Sequence, residues 1–501
     1  MSWCLNLPLF LIVLSLICAV LCTVLKRKAA YTVSMILPLL SFAGNLIILI
    51  YTVRTGQNYT YLMGHFPHPW GNELKIGVLE SLFSCAFSLI LFMTLAGGKK
   101  QLFDRIDPAK QPLYSTMTNL IQSALLVLVY TNDIFTGYVF IEICTIASIG
   151  ILMIKENGRT ILASTRYMIF SLVGSGLFLF GIIFLYSITG HLLMPDLKNS
   201  VALLYDSGQY RLPLFCAMSL IVIGLAVKSG LFPFHLWMPD TYGAAIPTSS
   251  GILSGLISKG YIFLLFKIIF DVFGKRVFFA AGMNNVLYIL GVSGVILGSV
   301  SALRENDIFR MTAYSSSAQI GYIYMGLGLS PVLGVEASLF HIMVHAFTKP
   351  AVFLAEGYLS FDMGSAKKFK NLQGSGYVNP AAGAAFSFGA FCMIGLPLTM
   401  GFISKYLFGA AAFESTHNKM IPTLIALAVS TILNTMYFAR TIIRIYTKRE
   451  DNPLPPEPVD WKEKARRPYI AVSVVFVLMN VSLGVLSKPF IDLLAYGISR
   501  F

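Results

Sequence analysis

Runs of about 18 to 25 apolar residues, the length a helix needs to cross a bilayer, recur along this chain with little between them. They lie near 5–25, 31–53, 77–96, 113–130, 133–154, 165–187, 212–231, 246–268, 280–302, 308–329, 334–358, 383–411, 421–446 and 468–496. Each run is long enough to satisfy its own backbone as a helix in lipid. The sequence therefore predicts an all-α polytopic membrane protein of about fourteen transmembrane helices. Residues 1–25 read as the first of them, because they lack the basic start and small-residue cleavage site of a removable signal. Composition agrees: 12% of residues are charged and 56% hydrophobic, against about 25% charged in a typical soluble chain.

The formal net charge of +14 suits membrane orientation and not nucleic acid. The loops after odd-numbered spans hold about 23 Lys and Arg against about 10 on the other side. By that bias the odd loops are cytoplasmic, both termini lie on the outer side, and the chain belongs to a cell's inner (cytoplasmic) membrane. Four basic residues remain outside those loop counts, each inside a span: Lys228, Lys259, Lys349 and Lys405. A charge at membrane depth is costly and is kept where it pairs or faces water.

Two of these lysines sit on interrupted spans. Lys228 stands in GLAVKSGLFPFHLWMPD, just before Gly230 and Pro233, and Lys405 stands in GLPLTMGFISKYLF, after Gly395, Pro397 and beside Gly401. Broken helices in corresponding halves of a membrane chain mark a transport site. Glu142, deep in span 5, needs a cationic partner, and Lys228 is the candidate. Lys259 follows the small-residue pair Gly251 and Gly255 with no charge beside it in sequence; snorkelling toward Lys267 and Asp271 is the alternative to a buried position. His341, His345 and Lys349 fall at i, i+4 and i+8, along one helix face, and Pro350 directly after them is expected to kink the helix. Ile342 stands where a zinc HExxH motif requires Glu.

Other features read more plainly. Tyr51 to Lys75 is expected as an outer loop, in which His65 and His68 lack a third metal ligand. Glu80 is placed near the outer boundary, in reach of water. Pro239 to Ala244 reads as a link between spans, and the proline-rich stretch from Lys448 to Arg467 as an extended cytoplasmic docking loop. The seven cysteines are isolated, with no CxxC. No GxGxxG or GK[ST] motif is present, so no cofactor or metal is expected in this chain, and any redox chemistry belongs to partners.

Four co-linear stretches, VKSGLFPFHLWMPDTYGAAIPTSSGILSGLISKG, NDIFRMTAYSSSAQIGYI, FHIMVHAFTKPAVFLAEG and GLPLTMGFISKYLF, resemble the antiporter-like subunits of respiratory complex I, of multisubunit cation/proton (Mrp) antiporters, the D subunit especially, and of membrane-bound hydrogenases. The resemblance implies two inverted five-helix repeats, each with a broken helix. The chain then divides into residues 1–110 (spans 1–3), 111–270 (spans 4–8), 271–447 (spans 9–13) and 448–501 (the loop and span 14). It also implies a proton path through Glu142, Lys228, Lys259 and Lys405, with His341, His345 and Lys349 as a polar stripe on span 11. Glu356, in FLAEG, is a carboxylate where a small residue is expected.

Two functions follow from these readings. The first is a proton-translocating subunit, with sodium/proton antiport as a variant, in a redox-driven pump or cation/proton antiporter. Its partners would be other membrane subunits and a soluble redox arm. The second is a structural spacer whose ion pairs only hold helices together. A spacer needs isolated pairs, whereas the residues named here form a series.

Overall fold

A computed structural model describes residues 3–66, 71–329, 332–448, 463 and 466–501. The chain opens with α1 (Trp3–Val24) and α2 (Arg27–Thr55), followed by strands β1 (Tyr59–Leu62) and β2 (Glu73–Ile76). The strands pair antiparallel with Tyr59 opposite Ile76 and Leu62 opposite Glu73, so the expected outer loop contains a small β-hairpin. Next come α3 (Val78–Gly97), α4 (Gln111–Tyr130), α5 (Ile134–Met153) and α6 (Gly158–Thr189). The seventh span is α7 (Arg211–Ser229) and α8 (Trp237–Ala244), joined through the 3-10 turn Phe234–Leu236. The stretch read as a polar link is thus helical.

A continuous span, α9 (Pro247–Ala280), is followed by α10 (Met283–Arg304), α11 (Ile308–Leu329) and α12 (Leu333–Asp362). A second interrupted span is α13 (Pro380–Ile394) and α14 (Met400–Glu414), and the bundle closes with α15 (His417–Tyr446), α16 (Arg467–Val485) and α17 (Ser487–Ile498). Among the described residues twelve helices are long and apolar enough to cross a membrane, or thirteen when the bent pair Phe369–Val378 and Pro380–Ile394 is one span. The expected fourteen is therefore not reproduced. The runs that fall short are α11, which carries the polar run Tyr314 to Gln319, and the short helices α13 and α14, of 15 residues each.

The bundle sorts by burial. The hydrophobic stretch of α9 is wholly buried and that of α12 nearly so, while α1, α2, α6 and α15 keep most of theirs exposed. Val20, Leu172, Phe180, Ile432 and Ile443 point outward, as side chains facing lipid do. Polar residues follow the opposite rule: Lys228, Lys259, Lys349, His341 and His345 are all buried. Burial places the ionisable residues on one internal seam between central helices, where irregular or charged groups are tolerated in a membrane protein.

The two central helices meet because one side is stripped of bulk. Gly251 and Gly255 lie against Pro350 of α12, and a Cβ at Gly255 would stand 2.4 Å from Pro350 Cγ. Gly255→Val is therefore expected to lower the melting temperature of the detergent-solubilised protein, since overpacking of this kind costs about 1–3 kcal/mol. Pro350 itself sits inside one continuous helix of 30 residues. At the start of α16, buried Arg466 pairs with Asp362 at 2.8 Å, tying it to the end of α12. Most of the docking loop read between Lys448 and Arg467, like His68, lies outside the described residues.

Candidate functional site

The first half of the site forms where α5, α6 and α7 meet. Asp133 caps α5 by accepting from the Thr136 amide, which fixes the start of the helix three turns before it presents Glu142. Lys228 occupies the last turn of α7, and Gly230 follows with φ +79, a left-handed conformation that glycine adopts without strain. The helix must stop there. Its negative end then lies beside the Lys228 ammonium, a favourable arrangement for a cation.

Close approach of α6 and α7 makes room for that lysine. A Cβ at Gly174 would lie 2.9 Å from the Gly224 carbonyl and 3.0 Å from Lys228 Cγ, so the stem of Lys228 lies along a glycine face. Lys228 Nζ donates to Glu142 Oε1 at 3.1 Å and to Thr145 Oγ1 at 2.7 Å. Ser175 of α6 donates to the same carboxylate oxygen. The lysine side chain is 1% exposed and the glutamate 24%. One end of the pair is sealed and the other is open, which lets the carboxylate move away from the lysine without a second group being desolvated.

Lys259 sits on α9 immediately after Leu253–Ile257, a π-helical stretch. Such wide turns displace the normal carbonyl pattern and recur at functional sites. Lys259 Nζ donates to the Ser254 carbonyl at 2.6 Å and to Ser258 Oγ at 3.0 Å. It is fully buried, so the snorkelling alternative is excluded, and it has no ion pair among the described residues. Two positions on, Tyr261 lies with its ring centroid 6.0 Å from Lys228 Nζ and its hydroxyl 3.5 Å from Thr145 Oγ1. Tyr261 is the side chain that joins the Lys228 cluster to the helix of Lys259, and the sequence offered no signal for it beyond its nearness to Lys259.

The stripe on α12 faces the second half. His341 Nδ1 is 2.7 Å from Ser404 Oγ of α14, while His341 Nε2 and both ring nitrogens of His345 have no hydrogen-bond partner among the described residues. Lys349 Nζ donates to the Thr312 carbonyl at 3.1 Å and to Ser315 Oγ at 2.9 Å, both on α11. Tyr437 of α15 donates to Ser315 Oγ at 3.0 Å. Glu356 is fully buried and accepts from Thr312 Oγ1. The carboxylate that stands where a small residue was expected thus belongs to the buried interior near Lys349.

Lys405 shows the same logic as Lys228 at the second break. Gly395 takes φ +89 and Leu398 φ +71, and α13 ends there. From α14 the lysine reaches back: Lys405 Nζ donates to the Ile394 carbonyl at 2.6 Å and to Thr431 Oγ1 of α15 at 2.8 Å. Both lysines thus stand at the negative end of the first half-helix of a broken span. Lys228 has a carboxylate, whereas Lys405 has none among the described residues. The break spans Gly395 to Thr399. Gly401 is inside a helix, where a Cβ would fall 1.7 Å from the Cys392 carbonyl, so it is a close-packing position.

Glu80 also departs from expectation. It is fully buried, and its nearest cation is Lys267 at 3.8 Å. Lys267 is itself fully buried and bonded to backbone, so it does not mark a watery helix end. At the other face, among the basic loops, a cavity of about 280 Å³ is lined by Arg159, Arg166, Asp240, Asp307, Arg310 and Lys367. Asp240 there accepts from both Arg166 and Arg310. Nearby, burial and the cations Arg105 and Lys367 pull Lys155 down to about 8. No cluster of three or more metal-ligating side chains occurs among the described residues.

Comparison with known proteins fits this geometry. Residues 131–433 match the family described as NADH:quinone oxidoreductase/Mrp antiporter, transmembrane. The chain is similar to subunit N of NADH-quinone oxidoreductase from Desulforudis audaxviator, at 31% identity over 90% of both chains. Its fold is similar to a chain of an archaeal membrane-bound sulfane sulfur reductase, with TM-score 0.87 and 25% identity over 100% of this chain and 97% of that one. It is also similar to a chain of the Mrp complex from Dietzia, with TM-score 0.87 and 19% identity over 100% and 98%.

Proposed function

The chain belongs to the NADH:quinone oxidoreductase/Mrp antiporter transmembrane family, and we propose that it moves protons along a central series of buried side chains. It is a multi-pass, proton-antiporter-like membrane subunit, and its relatives are subunits of multisubunit membrane complexes. The proposed series comprises Glu142, Lys228, Lys259, the α12 stripe of His341, His345 and Lys349, and Lys405. The observation that carries it is the pair at the first break: a sealed lysine held by one carboxylate that is itself partly open. When the pair is closed Lys228 holds its proton, and when Glu142 moves away the ammonium is left in a site too dry to keep its charge.

Each half supplies the same element. A lysine lies at the negative end of a broken half-helix, and hydroxyls hold it in place: Thr145 for Lys228 and Thr431 for Lys405. Lys259 and the unpartnered nitrogens of His341 and His345 lie between the two. Each break lies in the fourth helix of one of two inverted five-helix repeats, residues 111–270 and 271–447. The host is a redox-driven or cation/proton antiporter assembly in the inner membrane, with other membrane subunits around this chain and a soluble redox arm where the host is respiratory. The basic-loop cavity faces the cytoplasm and both termini face outward. Sodium/proton antiport is the variant to test alongside, by repeating the flux measurement with and without sodium.

The capping role of Lys405 supports a second reading, a spacer in which lysines only terminate helices. Lys259 separates the two, because it caps no helix end. Lys259→Arg keeps a cation that hardly deprotonates and is expected to lower proton flux in proteoliposomes about fivefold, with partial recovery in Lys259→His. Equal flux in both variants and the wild type would leave only the spacer.

A further inference from the structure

A second charged series lies outside the path just described, at the membrane face that carries the β-hairpin. Glu80 is in the first turn of α3. Lys267 and Asp271 are on α9, and Lys75 is on β2. Lys267 Nζ stands 3.8 Å from Glu80 Oε1, and Lys75 Nζ stands 2.8 Å from each oxygen of Asp271. The four side chains are 0%, 0%, 8% and 15% exposed, from Glu80 and Lys267 to Asp271 and Lys75. They alternate in sign and rise from the sealed interior to the surface.

We propose that Glu80, Lys267, Asp271 and Lys75 form a second relay that carries protons between Lys259 and the hairpin face, with Glu80 accepting and releasing the proton. This rests on the proton-transport reading above. Lys267 lies eight residues beyond Lys259 on the same helix, a rise of about 12 Å at 1.5 Å per residue. The segment between Lys267 and the surface is not regular helix: Ile268–Phe273, which holds Asp271, is π-helical, as is the stretch before Lys259. Each buried lysine of α9 is therefore flanked by a turn of the kind found at functional sites.

A structural clamp predicts a satisfied carboxylate, because a buried ion pair stabilises only when its remaining lone pairs are bonded. Lys267 meets that test, donating to the Val129 and Thr131 carbonyls at 2.9 and 2.6 Å where α4 ends. Glu80 does not. Among the described residues no other residue offers either of its oxygens a hydrogen bond. A Cβ at Gly77 would lie 2.7 Å from Glu80 Oε2, so the carboxylate occupies space that only glycine leaves open. Of the other charged groups at this mouth, Glu73 accepts from Asn132 and Lys198 donates to the Phe501 carbonyl.

The transfer balances simply. A proton leaves Lys267 Nζ for Glu80 Oε1, turning an ion pair into two neutral groups, and Lys267 regains a proton from the Lys259 side. Glu80 then releases its proton toward the surface past Asp271 and Lys75. No net charge stays behind.

The test uses the whole complex, purified through a tag on this chain and reconstituted in proteoliposomes under a potassium diffusion potential. Glu80→Gln is expected to lower proton flux about threefold, and Glu80→Asp to restore most of it. Infrared difference spectra across a pH jump should show a protonated-carboxyl band that Glu80→Gln removes. Should Glu80→Gln fail to assemble, Asp271→Asn, nearer the surface, is expected to assemble and to lower flux as well. Wild-type flux in these variants with flux abolished in Glu142→Gln overturns the relay alone. Wild-type flux in Glu142→Gln too overturns the proton-path reading with it. Absence of the carboxyl band from the wild type also overturns the relay.

Discussion

Glu142→Gln is expected to leave the complex assembled and to cut proton flux by at least about tenfold, equivalent to roughly 1.4 kcal/mol on the rate-limiting barrier. The substitution keeps the volume of the side chain and an oxygen able to accept from Ser175 and Lys228, so packing of α5, α6 and α7 is preserved. What it removes is the negative charge that holds the Lys228 ammonium in a site 1% exposed. Truncating one partner of a buried ion pair costs about 3–5 kcal/mol when the other stays charged. Lys228 avoids that cost by giving up its proton and then has nothing to draw the next one back. Assembly is read by blue native electrophoresis and flux by a pH-sensitive dye in proteoliposomes. A variant that assembles and transports like the wild type removes the switch from the mechanism.

The sequence made the skeleton of this site legible because lipid leaves few choices. An apolar run of 20 residues is a helix, and a lysine within it needs a reason, so Glu142, Lys228, Lys259, Lys349 and Lys405 stood out one by one. The meeting of Glu142 with Lys228 followed from charge alone. Hydroxyls carried no such signal: Thr145, Ser175, Thr312 and Thr431 bond the charged groups, yet Ser and Thr are common in every span. The count of fourteen is not confirmed, since α11 is polar where it is buried. Glu80 and Lys267 were misplaced because distance along a helix was taken as distance from water. The neighbours α4 and β2 cover that end, and nothing in either sequence segment announces the cover. Gly401 looks in sequence like part of the break, though glycine serves close packing as well as turning, and only the lack of room for a Cβ beside the Cys392 carbonyl tells which.

Lys405→Gln is expected to reduce proton flux by about tenfold and, separately, to weaken the junction of α13 and α14. The two effects have different causes and different readouts. The ammonium closes the end of α13 by donating to the Ile394 carbonyl at 2.6 Å, and a cation at a helix C-terminus contributes about 0.3–1 kcal/mol, more when partly buried. Gln can still donate to that carbonyl, so the loss in melting temperature should be small. It cannot carry a proton across the break, so the loss in flux should be large. Thr431→Val removes the second anchor and keeps the charge, leaving Lys405 free to swing; flux should then fall only about twofold. If Lys405 were only a cap, the order would reverse, with stability lost in step with hydrogen bonds and flux unchanged in both variants. The comparison is sharp because His341 bonds Ser404, the neighbour of Lys405 on α14, at 2.7 Å, so a proton arriving along the α12 stripe has this lysine as its next titratable group. Measuring flux and melting temperature on the same two variants separates the proton carrier from the helix terminator.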